Sequence, residues 1–411
     1  VANLEPMTAE TVMRVARAAG YIFQREDRPH TFLIGKDTRQ SGYMIENALT
    51  AGFCSMGINV LLTGPLPTPG VSYIMRSLRC DAAVMISASH NPYSDNGIKF
   101  FGPDGFKLAD EVESEVEALV AGDMVDKVRP TGGALGRARR IDDAIGRYIE
   151  YAKATFPKRM RLDGLRIVCD CANGAAYKVG PYTLSELGAE VITVGDSPDG
   201  TNINEDCGSV HPEGMRARVI QERANVGIAF DGDGDRVIFA DEEGRMLDGN
   251  VVLAILGLDL LERNALPKNT VATTIMANAG LSRALETRGG KAIYTKVGDR
   301  YVVEAMLKDG LALGAESSGH IVMLDHNTTG DALITALQIL AIMVRTDRSL
   351  GELASVYHAM PESHTKVALN GKPRPDQTVL DTIREEAEAR LNGAGRIVIR
   401  PSGTEPIVRI M

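Results

Sequence analysis

The sequence predicts an α/β protein. We expect three similar mixed α/β domains, mainly parallel sheets with flanking helices, and a smaller C-terminal α+β domain, arranged around a central cleft. Three observations predict it. At ~150 residues per domain, a chain of 411 residues needs two to four cores. Short apolar runs alternate with helical stretches, the pattern of strands covered by helices on both faces. One order of apolar run, polar loop, helix, run, helix, run recurs three times.

The first copy opens on a strand at Thr31–Gly35, then a helix over about Ser41–Met56, a strand Ile58–Leu62, a helix near Val71–Leu78 and a strand Ala82–Ile86. The second places strands at Leu165–Val168, Glu190–Val194 and Val226–Phe230, with helices near Ala175–Leu187 and Glu213–Arg223 between them. The third places strands at Thr270–Met276, Lys291–Lys296 and Leu311–Gly314, with helices at Ala279–Arg288 and Arg300–Lys308. After the last strand of each copy a polar loop leads into another apolar run. These loops are Ser87–Pro92, Asp231–Arg236 and Glu316–His320. Function in open α/β sheets sits at the carboxyl ends of strands, so three equivalent loops are expected to converge on one cleft. The last segment differs. After a helix Leu340–Arg345 and a loop through Pro361, it reads as a strand near Thr365–Leu369, a charged helix Thr378–Leu391, and strands around Ile397–Ile399 and Ile407–Ile410. Such a module would cap the cleft. The domains are placed at residues 1–145, 146–245, 246–360 and 361–411.

Composition narrows the function. Apolar residues are 44% of the chain and charged residues 24%, ordinary for a globular protein. The net charge of −9 argues against nucleic-acid and membrane-surface partners, which need a basic face. The greasiest stretch, Ala332–Val344, is too short to span a bilayer and carries Thr335 and Gln338. Five cysteines, an odd number without any C-x-x-C, read as free thiols in a reducing compartment. With no signal peptide in the sequence, the expected location is cytoplasmic.

Each loop suggests chemistry. Asp231, Asp233 and Asp235 follow a strand within one tight turn, and three hard oxygen ligands suit Mg²⁺ or Ca²⁺ rather than zinc. An EF-hand is excluded: its sixth position needs Gly and here is Arg236, and Val237–Ala240 reads as a strand. The Ser87-Ala-Ser89-His90-Asn-Pro loop offers two hydroxyls and an imidazole at a strand end, and spacing does not choose between Ser87 and Ser89. A serine nucleophile beside a metal-binding carboxylate set points to phosphoryl transfer. Arg400, Ser402, Gly403 and Thr404, with Arg409 nearby, concentrate phosphate donors on one hairpin. Glu316, Ser318 and His320 suit sugar hydroxyls and proton transfer. A metal is required on magnitude. Phosphate-monoester cleavage needs up to ~21 orders of magnitude of acceleration, and a helix dipole supplies only ~0.3–1 kcal/mol.

The runs Ile86-Ser-Ala-Ser-His-Asn-Pro92, Asp95-Asn-Gly-Ile-Lys-Phe-Phe101, Asp231-Gly-Asp-Gly-Asp-Arg236, Gly314-Ala-Glu-Ser-Ser-Gly-His320 and Arg400-Pro-Ser-Gly-Thr-Glu-Pro406 resemble the α-D-phosphohexomutase superfamily over essentially the whole chain. The first two runs are similar to its bacterial branch acting on glucosamine phosphates. The resemblance implies that Ser89 is the phosphorylated nucleophile, and that one Mg²⁺ per chain is held by Asp231, Asp233, Asp235 and the Ser89 phosphate, with Arg236 alongside. It implies His90, Lys99 and His320 around the reacting groups, with Lys99 and His320 as acid/base candidates, and Arg39 on the reacting phosphate. Gly298, Asp299, Arg300, Glu316 and Ser318 would line the sugar, while Arg400, Ser402, Gly403, Thr404 and Arg409 would hold the distal phosphate. The implied reaction interconverts glucosamine 6-phosphate and glucosamine 1-phosphate through a glucosamine 1,6-bisphosphate, which also serves as activator, and feeds UDP-N-acetylglucosamine and cell-wall synthesis. The expected partner is thus a small-molecule amino-sugar phosphate, with a homodimer left open. The family opens with a Gly-Thr-Asp-Gly-Ile-Arg-Gly strand that has no match here, and its last strand runs past Met411, so both ends are expected to be trimmed. Lys36 and Ala315 stand where the family usually has Arg and Gly. The rival readings are a phosphoglucomutase or phosphomannomutase, a serine-nucleophile metal-dependent phosphatase, and a sugar-phosphate sensor on a mutase scaffold.

Overall fold

Three sheets share one order in their four core strands. β1 (Thr31–Lys36), β2 (Asn59–Pro65), β3 (Ala82–Ile86), β4 (Ile98–Phe101) and β5 (Ala138–Arg140) form the first, ordered β4-β3-β1-β2-β5. β6 (Arg166–Asp170), β7 (Glu190–Val194), β8 (Val226–Phe230), β9 (Val237–Ala240) and β10 (Met246–Leu247) form the second, ordered β10-β9-β8-β6-β7. β11 (Thr270–Thr274), β12 (Lys291–Thr295), β13 (Leu313–Ala315) and β14 (Ile321–Met323) form the third, ordered β12-β11-β13-β14. In each, the first strand pairs in parallel with the second and third. The third then turns back antiparallel into a short return strand, β4, β9 or β14. The fourth sheet is wholly antiparallel: β15 (Thr365–Ala368), β16 (Ile399–Pro401) and β17 (Ile407–Ile410), ordered β15-β17-β16. The structure is a computed structural model and describes the chain apart from residues 25–27, 371–372, 393–394 and 402–405.

Burial explains why the strands stand out. β3 reads Ala-Ala-Val-Met-Ile and β8 Val-Gly-Ile-Ala-Phe, and every residue of both is buried. A strand covered on both faces loses its polar alternation and becomes one apolar run. Several helices outside the predicted pattern complete the layers: Ala9–Phe23, Asp110–Ala121, Ala144–Thr155 and Gly249–Glu262. The predicted helix Leu340–Arg345 is the end of a longer one, Ala332–Thr346. Asp331 starts it, its side chain accepting from Ile334 N at 2.9 Å. Eleven of its 15 residues are buried, so no polar stripe marks its first turns.

That helix lies in a core joining the three sheets. One apolar cluster includes Leu33 and Ala83, Ile167 and Ile228, Val271 and Leu313, and Leu337 and Leu340 of the helix. Tyr148 is fully buried and donates to Asp331 at 2.8 Å, tying Ala144–Thr155 to the same helix. The carboxyl-end loops are therefore fixed relative to one another. Among the described residues no helix is long and apolar enough to cross a membrane.

Candidate active site

Ser89 leaves the end of β3 with φ at +50°, in the left-handed region that non-glycine residues rarely occupy. Local bonds hold it there. Ser89 N donates to Ser87 Oγ at 2.8 Å, and Ser87 Oγ donates to Asp37 at 2.7 Å. Ser89 Oγ donates to Asp231 Oδ2 at 2.5 Å across the boundary between the first and second sheets. Ser87 is thus a strut and Ser89 the hydroxyl presented to the carboxylates.

The second loop bends between β8 and β9. Gly234 takes φ +68°, and Asp231 Oδ1 accepts from Asp235 N and Arg236 N, both at 3.1 Å. Ala175 N donates to Gly232 O, and Gly174 lies so close that a Cβ there would sit 2.4 Å from that oxygen. The turn brings one ligand oxygen from each of Asp231, Asp233 and Asp235 within 4.8 Å of the others, all three residues buried. Burial, then Asp235 and Asp233, push Asp231 well above the ordinary carboxylate range. Burial also opposes ionisation of Asp235, but Lys99 and His320 outweigh it and hold that group well below the range. Lys99 Nζ lies 2.6 Å from Asp233 and 3.6 Å from Asp235, and Thr68 Oγ1 donates to Asp233 at 2.6 Å. Asp233 Oδ1 and Asp235 Oδ1 are buried without a hydrogen-bond partner. Crowded carboxylates with oxygen atoms to spare fit a hard divalent cation.

Four of the expected residues are engaged with other parts of the protein. Arg39 is fully buried, and all its side-chain donors are engaged: Nε with Asp37, Nη1 with the carbonyls of Pro92 and Asp95, Nη2 with those of Ser89 and Asn91. Arg39 thus ties the loop around Ser89 to Asp37. His320 is buried, with Nε2 3.2 Å from Gly330 N and Nδ1 3.7 Å from Asp235, so it stands beside that carboxylate. Arg300 pairs with Asp110 and Glu113 of the helix Asp110–Ala121 and with Leu108 O. Asp299 likewise pairs with Lys107, and its carboxyl sits near 2 because Lys107 and His320 outweigh its burial.

The other residues fall into two groups. Arg236 Nη1 lies 3.0 Å from His90 Nδ1, and burial and then Arg236 lower the His90 pKa, so the neutral ring accepts and orients the guanidinium. Glu316 Oε1 accepts from Gly298 N at 3.1 Å, and Ser318 is exposed at the same loop. Arg400 and Arg409 lie on the fourth sheet as direct partners on β16 and β17. Ser402, Gly403 and Thr404 fall outside the described residues. One residue carried no signal in the sequence. Asn204, in the loop after β7, donates through Nδ2 to Ser89 O at 2.9 Å and Asn91 O at 3.1 Å. An asparagine in a polar loop is indistinguishable from a turn residue until its partner over 100 residues away is in place.

Sequence comparison agrees with this geometry. Models of the phosphoglucomutase/phosphomannomutase family match in order: α/β/α domain I over residues 1–125, domain II over 146–244, domain III over 248–360 and the C-terminal domain over 345–411. A phosphoglucosamine mutase of Geobacter sp. (strain M21) is 54% identical over 412 aligned residues, covering 100% of this chain and 91% of the relative. That of Magnetococcus marinus is also 54% identical, covering 100% and 85%. The crystal structure of a phosphoglucomutase/phosphomannomutase family protein from Burkholderia thailandensis superposes with a TM-score of 0.79 at 25% identity, covering 98% of this chain and 88% of that one. With four domains matched in order and more than half of its residues shared with those relatives, the chain belongs to the phosphoglucosamine mutases of the phosphohexomutase superfamily.

Proposed function

We propose that this enzyme interconverts glucosamine 6-phosphate and glucosamine 1-phosphate, with Ser89 as the phosphoryl carrier. The observation that carries the reading is the Ser89 hydroxyl 2.5 Å from Asp231 at the mouth of the carboxylate trio. In the forward step the phosphoryl group leaves phospho-Ser89 for the free hydroxyl of the sugar monophosphate. The Ser89 O–P bond breaks, the sugar O–P bond forms, and the proton of the sugar hydroxyl ends on the released Ser89 Oγ. After the bisphosphate reorients, its other phosphoryl group returns to Ser89. Mg²⁺ bound by Asp231, Asp233, Asp235 and the Ser89 phosphate would neutralise charge building on the transferred group. Lys99 adds a fixed positive charge, since the carboxylates around it hold its ammonium protonated far above neutral pH. Arg236, aimed by His90, adds a second. Glu316 and Ser318 read sugar hydroxyls, and Arg400, Ser402, Gly403, Thr404 and Arg409 grip the phosphate that is not reacting. Asp299 and Arg300 support the cleft from the domain boundary. A bisphosphate activator restores phospho-Ser89 when an intermediate escapes.

Relatives named for the glucosamine reaction favour that substrate over plain hexose phosphates. We also place the enzyme in the cytoplasm, which its five free thiols support; four of them are buried. The test is ³¹P NMR with Mg²⁺, offering glucosamine 6-phosphate and glucose 6-phosphate in parallel, each primed with its bisphosphate. Faster 1-phosphate formation from the amino sugar is expected. Preference for glucose would move the reaction to a phosphoglucomutase, and release of inorganic phosphate alone would make the enzyme a phosphatase.

A further inference from the structure

We propose that Lys366 is a third cation of the phosphate grip, standing beside Arg400 and Arg409 and binding the non-reacting phosphate dianion of the sugar phosphate. This rests on the reading of the enzyme as a sugar-phosphate mutase.

The register carries the argument. On the fourth sheet Lys366 of β15 lies directly opposite Arg409 of β17, and Arg409 lies directly opposite Arg400 of β16. Opposed residues of antiparallel strands project to the same face with Cβ atoms about 4.5–5.5 Å apart. Three cations therefore stand in one row, a concentration of positive charge that suits a doubly charged anion. Among the described residues neither Lys366 nor Arg400 forms an ion pair with a carboxylate.

A lysine on an edge strand has an ordinary explanation, since it discourages pairing with another sheet. Lys366 has a different setting. With Arg400, Arg409, His364 and Met276 of the third domain it lines a cavity of about 120 Å³. Met276 and His364 also line a neighbouring cavity of about 1080 Å³ that reaches Ser317 and Ser318 of the sugar loop. Arg396 fixes the two domains at this point, donating to Ile275 O at 3.0 Å and to Ala277 O. The cation row thus faces the route to the sugar. Two guanidiniums supply directional pairs of donors and Lys366 a compact charge, together suited to a phosphate carrying two negative charges.

The test compares the intact enzyme with K366M, K366R and R400M. K366M is expected to raise KM for glucosamine 6-phosphate about tenfold, the equivalent of ~1.4 kcal/mol, with kcat changed less than about threefold. It should also flatten the rise of KM with salt, because one screened attraction is gone. K366R should retain most of the affinity. Calorimetric titration with glucosamine 6-phosphate reads the same loss without turnover, and thermal melting checks that each variant is folded. Wild-type KM and salt dependence in a folded K366M would overturn the proposal. If R400M also binds normally, the whole hairpin is not a phosphate grip. If the wild-type enzyme binds and converts no amino-sugar phosphate, the proposed function itself fails.

Discussion

Ser89 pays for its position in backbone strain, since a non-glycine residue at φ +50° costs about 1–3 kcal/mol. Ser87, Arg39 and Asn204 offset that cost by gripping the amide and carbonyls of its loop. Ser89→Ala should abolish turnover while leaving the melting temperature within a few degrees, because alanine meets the same backbone demand. Near-normal turnover in that variant would sink the mechanism. Asn204→Ala removes two neutral hydrogen bonds worth about 0.5–1.5 kcal/mol each. It should lower kcat by about 5- to 150-fold with little change in KM, and slow the phosphorylation of Ser89 as read by mass spectrometry of the active-site peptide. A rise in KM alone would put Asn204 in substrate binding instead. Asp233→Asn should weaken the response to added Mg²⁺ together with the rate, and an unchanged metal titration would remove Asp233 from the ligand set.

At the scale of elements, β6 ends on Asp170, whose carboxylate accepts from Ala172 N at 2.9 Å and Gly208 N at 2.8 Å. Burial raises its pKa from 3.8 to about 6. The folded chain then keeps a proton that the unfolded chain releases at lower pH, so its stabilising share is greatest below the unfolded value and declines as pH climbs through the folded one. The decline amounts to about 3 kcal/mol between pH 4 and 6. Asp170→Asn should flatten that part of the stability profile in urea unfolding; a profile with the wild-type slope would show that another group is responsible. The strands of the repeated unit were legible in the sequence within a few residues at their ends, because burial turns central strands such as β3 and β8 into uninterrupted apolar runs, while β7 and β12 keep β-branched residues between exposed ones. Gly249–Glu262 and the first turns of Ala332–Thr346 were not, since a helix buried all round shows no 3.6-residue stripe. The carboxylate trio was legible because its ligands lie within five residues. The partners of Arg39 and Arg300 were not legible for the opposite reason: a cation's type is visible in sequence, but the groups it meets lie on other elements.

Across the whole molecule, the first and third domains are latched by Arg300 against Asp110 and Glu113 and by Lys107 against Asp299. Arg300→Ala should leave each domain folded, lower kcat/KM several-fold and enlarge the radius of gyration in small-angle scattering; an unchanged radius with normal kinetics would reduce the latch to a surface contact. Ser89, the three carboxylates and the loop Glu316–His320 arise from three different sheets, and each loop joins a central strand to its antiparallel return strand. Each is therefore an arch with both feet nailed to the same floor. Lengthening such an arch would lift its crown away from the other two, so insertions are a poor route to new specificity here. Change in this scaffold is confined to swapping the stones at the crown, one side chain at a time, while the span stays constant.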